Sequence, residues 1–426
     1  MGSRNLVPGP PNHRRLIVWT ALVLGVVALA LVVYYVGPRH KGEGEPDSDP
    51  RRTFPTPFRN VRPEVQYVGD AVCAGCHADL SASYHEHPMG RSLAPAAVAP
   101  VSVREEKAAA NPFEAEGFRY SIQRRDGRLF HRMTCPAADG NPITDVTEEI
   151  AFVVGSGERA RSYLVNRDGF VYQSPISWFA AEGRFDLSPG YRGKRIGFSR
   201  VIGTDCLFCH SGQVAHVAGT VNGYEPSVFR AHAIGCERCH GPGELHAARQ
   251  DRPRPGEPDE TIVNPARLEH ALAESVCEQC HLQGAARVVR RDRDAFDYRP
   301  GLPLDLFMTV FVRSTEPGRH SFVGHVEQMH ASRCYQHSPA EKRMTCVSCH
   351  DPHRAPAPAE KAGFYRRHCL ECHTTQGCTV PVAERERVTA EDSCVACHMP
   401  RRRTDDIDHV ATTDHRIVRH GKAPPA

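Results

Sequence analysis

The sequence predicts a mainly α-helical chain with extensive irregular loops, a small insert rich in β-hairpins, and one N-terminal transmembrane helix. Three observations predict this fold class. An uncharged run of 21 residues lies near the N-terminus, one cysteine–histidine pattern recurs seven times in the 426 residues, and the 128 residues between the first two copies carry hairpin signals. The 53 Lys and Arg residues nearly balance the 50 Asp and Glu residues, so we expect no nucleic-acid partner.

The uncharged run predicts a membrane anchor. As a helix, residues 16–36 would be about 31 Å long, which matches the hydrocarbon thickness of a bilayer. We expect residues 1–15 to form a cytoplasmic tail and the six prolines within residues 37–66 to give an extended linker. A cleaved signal peptide is the alternative, because Ala28 and Ala30 offer a small-x-small cleavage site.

The recurring pattern is C-x-x-C-H. Its thiols are Cys73, Cys76, Cys206, Cys209, Cys236, Cys239, Cys277, Cys280, Cys346, Cys349, Cys369, Cys372, Cys394 and Cys397. Its histidines are His77, His210, His240, His281, His350, His373 and His398. Two thiols three residues apart lie about one helical turn from each other, so both can reach the vinyl groups of one porphyrin while the adjoining imidazole binds the iron. The sequence therefore predicts seven covalently bound haem c groups.

Zinc and thioredoxin-like readings of the same cysteines fit poorly. Paired C-x-x-C units in zinc sites would leave one of the seven without a partner and would not need a histidine after every second cysteine. A thioredoxin-like pair requires one motif that opens a helix in a βαβ unit. The haem interpretation is therefore preferred.

Haem attachment also predicts location and organisation. The thiols must stay available outside the cytoplasm, so we expect a single-pass protein of the inner membrane with its haem domain on the periplasmic side. A first haem segment spans residues 67–110 and a six-haem domain spans residues 201–420. From Cys206 to His398, 193 residues carry six motifs, so the porphyrins are expected to form much of the core there.

The stretch between the first two motifs predicts a β-rich insert over residues 111–200. Two pairs of alternating segments flank the dipeptides Asp126–Gly127 and Asp168–Gly169. Asp-Gly between such segments is typical of tight hairpins. We expect the insert to serve as a structural brace, with a cap over one haem edge as the alternative.

Histidines outside the motifs are candidates for the second axial position on the iron. His246 follows the third motif after a Gly-Pro-Gly turn, and His353 follows the fifth motif after Pro352. Because these breakers turn the chain away from its own iron, each is expected to serve another haem. Two further candidates, each with a neighbouring alternative, are His87 or His85 and His325 or His330.

Several longer strings resemble a known family. C-E-R-C-H-G-P-G-E-L-H, C-V-S-C-H-D-P-H and the tail C-H-M-P-R with H-V-A-T-T-D-H-R-I are similar to multihaem c-type cytochromes with doubled C-x-x-C-H domains, related to the tetrahaem cytochrome that partners hydroxylamine oxidoreductase. The similarity covers roughly residues 65–420. It implies that His246, His353, His409 and His415 are distal ligands and that the haems stack in closely spaced pairs. It implies no substrate.

These observations predict a membrane-anchored electron relay. We expect electrons to pass one at a time from a membrane donor, such as a quinol oxidation system, to a periplasmic redox protein, and we assign no catalytic residue. The alternative is a multihaem oxidoreductase that acts on a small nitrogen or sulfur compound at one open haem. Three cysteines lie outside the motifs, and Cys334 and Cys378 could form a disulfide that leaves Cys135 unpaired.

Overall fold

A computed structural model of the chain describes residues 49–108, 111–137, 141–194, 196–251, 257–282, 284, 286–311, 324–373, 377–404 and 411–419. The chain divides into two units, residues 1–49 and residues 50–426. All described residues except Asp49 belong to the second unit. The predicted tail, the predicted anchor over residues 16–36 and the candidate ligand His409 lie outside the described residues.

Helix and strand occur in comparable amounts, 32% and 25% of residues, so the prediction of a mainly α fold is wrong. The helices are short because breakers follow them. Gly241, for example, adopts φ +75° directly after the four-residue helix that ends the third motif, a backbone conformation that favours glycine. Strands, in contrast, form both in the insert and between the later motifs.

The α-helices contain between 4 and 12 residues. They are α1 Pro50–Thr53, α2 Asp70–Ala74, α3 Ala78–Glu86, α4 Val103–Glu106, α5 Thr204–His210, α6 Glu237–His240, α7 Glu244–Ala248, α8 His270–His281, α9 His325–His330, α10 Arg333–Gln336, α11 Lys361–Cys372, α12 Val382–Val388 and α13 Cys394–His398. Short 3-10 helices cover Arg59–Val61, Gly197–Ser199, Pro265–Arg267, Ala295–Asp297, Leu304–Leu306, Ala340–Lys342, Cys346–Ser348, Pro358–Glu360 and Ala390–Asp392.

The strands form antiparallel sheets. They are β1 Leu93–Pro95, β2 Phe113–Ala115, β3 Phe118–Arg125, β4 Arg128–Pro136, β5 Pro142–Glu149, β6 Phe152–Val154, β7 Ala160–Arg167, β8 Phe170–Phe179, β9 Arg184–Leu187, β10 Arg200–Val201, β11 Gln213–His216, β12 Tyr224–Ala231, β13 Ala286–Val289, β14 Met308–Phe311, β15 Arg401–Arg403 and β16 Ala411–Thr413. One sheet has the order β1-β6-β7-β8-β10 with β9 added to β8, and another has the order β2-β3-β4-β5. The pairs β11-β12, β13-β14 and β15-β16 form separate two-stranded sheets between or after the motifs.

Both predicted Asp-Gly hairpins are present. Asp126 and Gly127 join β3 to β4, and Asp168 and Gly169 join β7 to β8. All four residues have positive φ, between 51° and 89°, as a two-residue hairpin turn of this type requires. The hairpins bring the long strands of the insert into register.

Aromatic side chains concentrate in the insert. Its core cluster contains Tyr163, Trp178 and Phe185, each at most 5% exposed. Helix α4 is held against this core by Glu105. Its carboxylate accepts from the Arg161 guanidinium at 2.7 Å and from the Tyr163 hydroxyl at 2.6 Å. Burial raises the pKa of Tyr163 well above its usual value. The insert therefore has a conventional hydrophobic core with one buried ion pair inside it.

The segment that we expected to be an extended linker packs against the third motif at its C-terminal end. Val61 is fully buried in a cluster with Phe208 and Tyr298. The amide of Asn60 donates to the carbonyl oxygens of His240 and Pro242 at 3.0 and 3.3 Å. These contacts hold the start of the described chain against the helix break that follows the third motif.

The predicted single-pass anchoring and the localisation that depended on it are corrected. None of the helices in the described ranges is both long enough and apolar enough to cross a bilayer. The prediction depended on one uncharged run of sequence, which lies in the part of the chain outside the description.

Candidate haem-binding site

One connected cavity of about 3800 Å³ brings the motifs together. Both cysteines and the histidine of all seven motifs contribute to its wall. The volume is roughly four times the upper end of the roughly 300–1,000 Å³ typical of a pocket for one small ligand. Helices α11 and α13, which carry the last two motifs, contain no buried residue. Their apolar surface faces the cavity, as expected where a large apolar group completes the core.

A single helical turn arranges each set of motif side chains. The backbone N–H of the histidine bonds to the carbonyl oxygen of the first cysteine, at 2.9 Å in the first and sixth motifs and 3.0 Å in the fifth. This i to i+4 bond places the two thiols and the imidazole on adjoining sides of the turn. In the last motif the side chain of Ser393 caps the turn by accepting from Ala396 N–H. The local geometry is thus the one that the spacing predicted.

Imidazoles from distant segments face each other inside the cavity. The ring centroids of His77 and His246 are 6.4 Å apart with planes 12° from parallel, and those of His240 and His353 are 5.9 Å apart with planes at 8°. An iron between two imidazole nitrogens, each about 2 Å away, separates the centroids by about 6 Å. Both pairs therefore have the spacing that a six-coordinate haem iron requires.

A third group of imidazoles lies near the fourth and fifth motifs. The centroids of His350 and His415 are 6.2 Å apart, which again fits an iron between them. His325 lies 5.3 Å from His281 and 4.7 Å from His415, with nearly perpendicular planes. The alternative to His325 points elsewhere, because Nε2 of His330 contacts the Glu274 carboxylate at 3.2 Å.

Hydrogen bonds at Nδ1 determine which ring nitrogen faces the cavity. Carbonyl oxygens accept from Nδ1 of His240, His398 and His415 at 2.8 to 2.9 Å, and a carboxylate accepts from His246 at 3.0 Å. Because a carbonyl can only accept, Nδ1 carries the proton and the Nε2 lone pair is available to a metal.

His87 has the opposite arrangement. Its Nδ1 accepts from the backbone N–H of Met89 at 3.2 Å, which places the proton on Nε2. Its ring faces Tyr84 at 5.9 Å, although the residue lines the cavity. The alternative, His85, donates from Nδ1 to Ser81 O at 2.7 Å. No described ring contact joins either residue to a motif imidazole, although His87 acts electrostatically on His350 of the fifth motif.

Burial favours the neutral form of four of the seven motif imidazoles. It lowers the pKa of His210, His240 and His281, and it lowers that of His350 to about 4, where the neighbouring His415 adds to the effect. Neutral imidazole is the form that offers a lone pair to a metal. The hydroxyl of Tyr365 lies 3.4 Å from Nδ1 of His350. No pattern in the sequence indicated this tyrosine.

Thiols of different motifs touch one another. Pairs of thiols that perturb each other's pKa join the first motif to the third, the second to the fourth, the fourth to the fifth, and the sixth to the seventh. These pairs are Cys73 with Cys236, Cys209 with Cys280, Cys277 with Cys346, and Cys369 with Cys394. In the second pair the bond from Cys280, helped by Arg287, lowers the pKa of Cys209 to about 5. The attachment points are therefore immediate neighbours across motifs.

The cysteines outside the motifs are free. Cys372 of the sixth motif acts electrostatically on Cys334, whereas Cys378 acts on Cys397 of the seventh motif. Both line the cavity, but the structure does not pair them in the disulfide that we considered possible. Cys135 lies in β4 of the insert.

Comparison with known proteins gives one relative. No protein-family model and no solved structure matches the chain. The chain is 26% identical over 240 residues to the dissimilatory sulfite reductase MccA of Wolinella succinogenes, an alignment that covers 45% of this chain and 31% of the relative. The chain thus spans about a third of the relative's length. Motifs and similarity together support a multihaem c-type cytochrome. The narrower resemblance to cytochromes related to the tetrahaem partner of hydroxylamine oxidoreductase stays a prediction.

The residues present fit covalently bound haem c. The cavity has room for large planar groups, the thiols and imidazoles line it together, and Nε2 of several imidazoles is left available by the bond at Nδ1. Asp259, which holds His246, was missed from the sequence because nothing in the local pattern E-P-D-E-T marks it. His210, His373 and His398 face no second imidazole among the described ring contacts.

Proposed function

We propose that the chain is a heptahaem c-type cytochrome that passes electrons one at a time between redox partners. The facing imidazoles carry this proposal, above all His77 with His246 and His240 with His353. Bound haem supplies one-electron redox chemistry, and an iron with two imidazole ligands has no position left for a substrate. The partners we propose are a redox protein and a second redox protein or quinol-oxidising system.

The polypeptide brings the haem attachment points close together and shields them from solvent. Thiol contacts such as Cys277 with Cys346 leave no layer of protein between the attachment points of neighbouring motifs. Gln279, 3% exposed, fills the space beside them and donates to Arg238 O at 3.0 Å and Val276 O at 2.7 Å. Burial favours the neutral form of four motif imidazoles, those of His210, His240, His281 and His350, so this part of the wall adds little reorganisation when charge in the cavity changes.

Mass spectrometry and electron paramagnetic resonance test the proposal. We expect purified protein to carry seven haems per chain and low-spin ferric signals for the sites with two imidazoles. The double change Cys236→Ala and Cys239→Ala should remove one haem. Cys135→Ala, which alters a thiol in the insert, should remove none. A mass equal to that of the bare polypeptide would refute the proposal.

A second candidate is a reductase of a sulfur compound. The similarity to a dissimilatory sulfite reductase favours it, and so does the region of the second motif. There Arg200, whose charge acts on Cys206, pairs in register with Gln173, and both line the cavity. Among the described ring contacts His210 has no second imidazole opposite it. A guanidinium beside such a site suits an anionic substrate.

Sulfite binding distinguishes the two functions. For the relay, we expect the electronic spectrum and the low-spin signals to stay unchanged when sulfite is added. For the reductase, we expect a high-spin ferric signal that changes when sulfite is added. We also expect sulfite-dependent oxidation of a reduced dye. Arg200→Gln should then weaken sulfite binding, whereas Arg132→Gln, on the exposed surface of β4, should not.

A further inference from the structure

Asp259 holds the imidazole of His246 in place. His246 lies in α7 just after the third motif, and its ring faces His77 of the first motif. Its Nδ1 is 3.0 Å from Oδ2 of Asp259, and the aspartate side chain is only 13% exposed. A carboxylate on the far nitrogen of a metal-binding imidazole fixes the tautomer and the ring orientation.

The carboxylate is itself fixed by its other oxygen. Oδ1 of Asp259 accepts from the backbone N–H of Thr261 at 2.8 Å, from its hydroxyl at 2.5 Å, and from the Arg249 guanidinium at 3.1 Å. Thr261 is 6% exposed. These three donors occupy Oδ1 and leave Oδ2 for His246. The arrangement thus orients one defined oxygen toward one defined nitrogen.

Two other imidazoles that belong to facing pairs, those of His240 and His415, donate from Nδ1 to neutral carbonyl oxygens. Nδ1 of His415, which faces His350, donates to the backbone carbonyl of Thr413 at 2.9 Å. A charged acceptor pulls the Nδ1 proton more strongly than a neutral carbonyl does, so it places more electron density on Nε2. A more basic ligand stabilises ferric over ferrous iron and lowers the reduction potential.

We propose that Asp259 is a positioning residue that directs Nε2 of His246 toward His77 and lowers the reduction potential of the first-motif haem. This inference relies on the proposed function, because it requires haem at Cys73 and Cys76. It goes beyond the proposed function because it assigns a lowered reduction potential to the site of the first motif and names the residue that lowers it.

Asp259→Asn tests the inference in the full-length holoprotein. Asparagine keeps the size and an acceptor oxygen but removes the charge. Asp251→Asn is the matched control, because Asp251 also contacts Arg249, at 3.3 Å, yet is 91% exposed and does not contact His246. Potentiometric titration followed by electron paramagnetic resonance separates the individual haems.

With Asp259→Asn we expect unchanged haem content. One reduction potential should rise by about 59 mV, which corresponds to a factor of about ten in the equilibrium constant for one-electron reduction. The g values of one low-spin signal should shift with it. Asp251→Asn should change neither. Equal potentials and spectra in the two variants would overturn the role of Asp259, whereas absence of haem from the first motif, by peptide mass, would instead overturn the proposed function.

Discussion

The buried ion pair of the insert predicts a large effect from one substitution. Arg161 and Glu105 are 2.7 Å apart, and their side chains are 7% and 6% exposed. Removal of one partner from a buried pair costs about 3–5 kcal/mol, because the other charge stays buried without compensation. Arg161→Met preserves much of the volume, and the Tyr163 hydroxyl still donates to Glu105 at 2.6 Å. We therefore expect the lower end of the range, a loss of about 3 kcal/mol in the free energy of unfolding.

Urea denaturation at pH 7 measures this loss. Trp178 lies in the same core cluster and is 2% exposed, so its fluorescence reports unfolding of the insert. The matched control is Arg132→Met, because Arg132 pairs with Asp145 on the surface with both side chains 39% exposed. An exposed pair contributes about 0–1 kcal/mol. If Arg161→Met destabilised the protein no more than Arg132→Met, the assignment of a desolvated pair would be wrong.

Three further predictions concern a turn, a buried histidine and the free thiols. A Cβ at Gly169 would lie 2.5 Å from the carbonyl oxygen of Tyr224 at φ +89°, so Gly169→Ala should cost about 1–3 kcal/mol in urea denaturation, and a neutral effect would mean that the turn relaxes freely. Burial lowers the pKa of His131 to about 3. As pH falls below about 6.5, this histidine is therefore protonated in the unfolded chain but not in the folded one, which destabilises the folded state. His131→Asn should therefore remove up to about 1.4 kcal/mol per pH unit of acid destabilisation between those values, and equal acid profiles of variant and parent would contradict this. Alkylation without reductant should label both Cys334 and Cys378, and a cross-linked peptide would contradict the free state.

The parts of the site that depend on local chain geometry could be predicted from the sequence. One helical turn fixes the thiols and the imidazole of each motif, and a Gly or Pro after His240 or before His353 turns the following segment away. The Asp-Gly hairpins follow in the same way from the need for positive φ. These features involve neighbours in sequence, so no tertiary information is needed.

The parts that depend on tertiary packing could not be predicted. His325 and His330 lie on the same helix, about 140° apart around its axis, and only the position of Glu274 on α8 decides which one turns away. Strand β13, between the fourth and fifth motifs, has four residues and β15, after the last motif, has three, and neither shows a clear alternating pattern. Asp259 contacts His246 from 13 residues further along the chain, a separation that no local pattern predicts. For these reasons the fold was predicted as mainly α and the positioning aspartate was missed.

The facing imidazoles also make the completion of each site depend on a later segment of the chain. His246, His353 and His415 all come later in the chain than the motif histidines opposite them. In a chain truncated before the later segment, each of these three early sites would therefore have an iron with one open face. We expect such truncated chains to bind carbon monoxide or cyanide at sites that the full-length protein closes. Binding of these exogenous ligands would then measure how many of the sites have received their second imidazole.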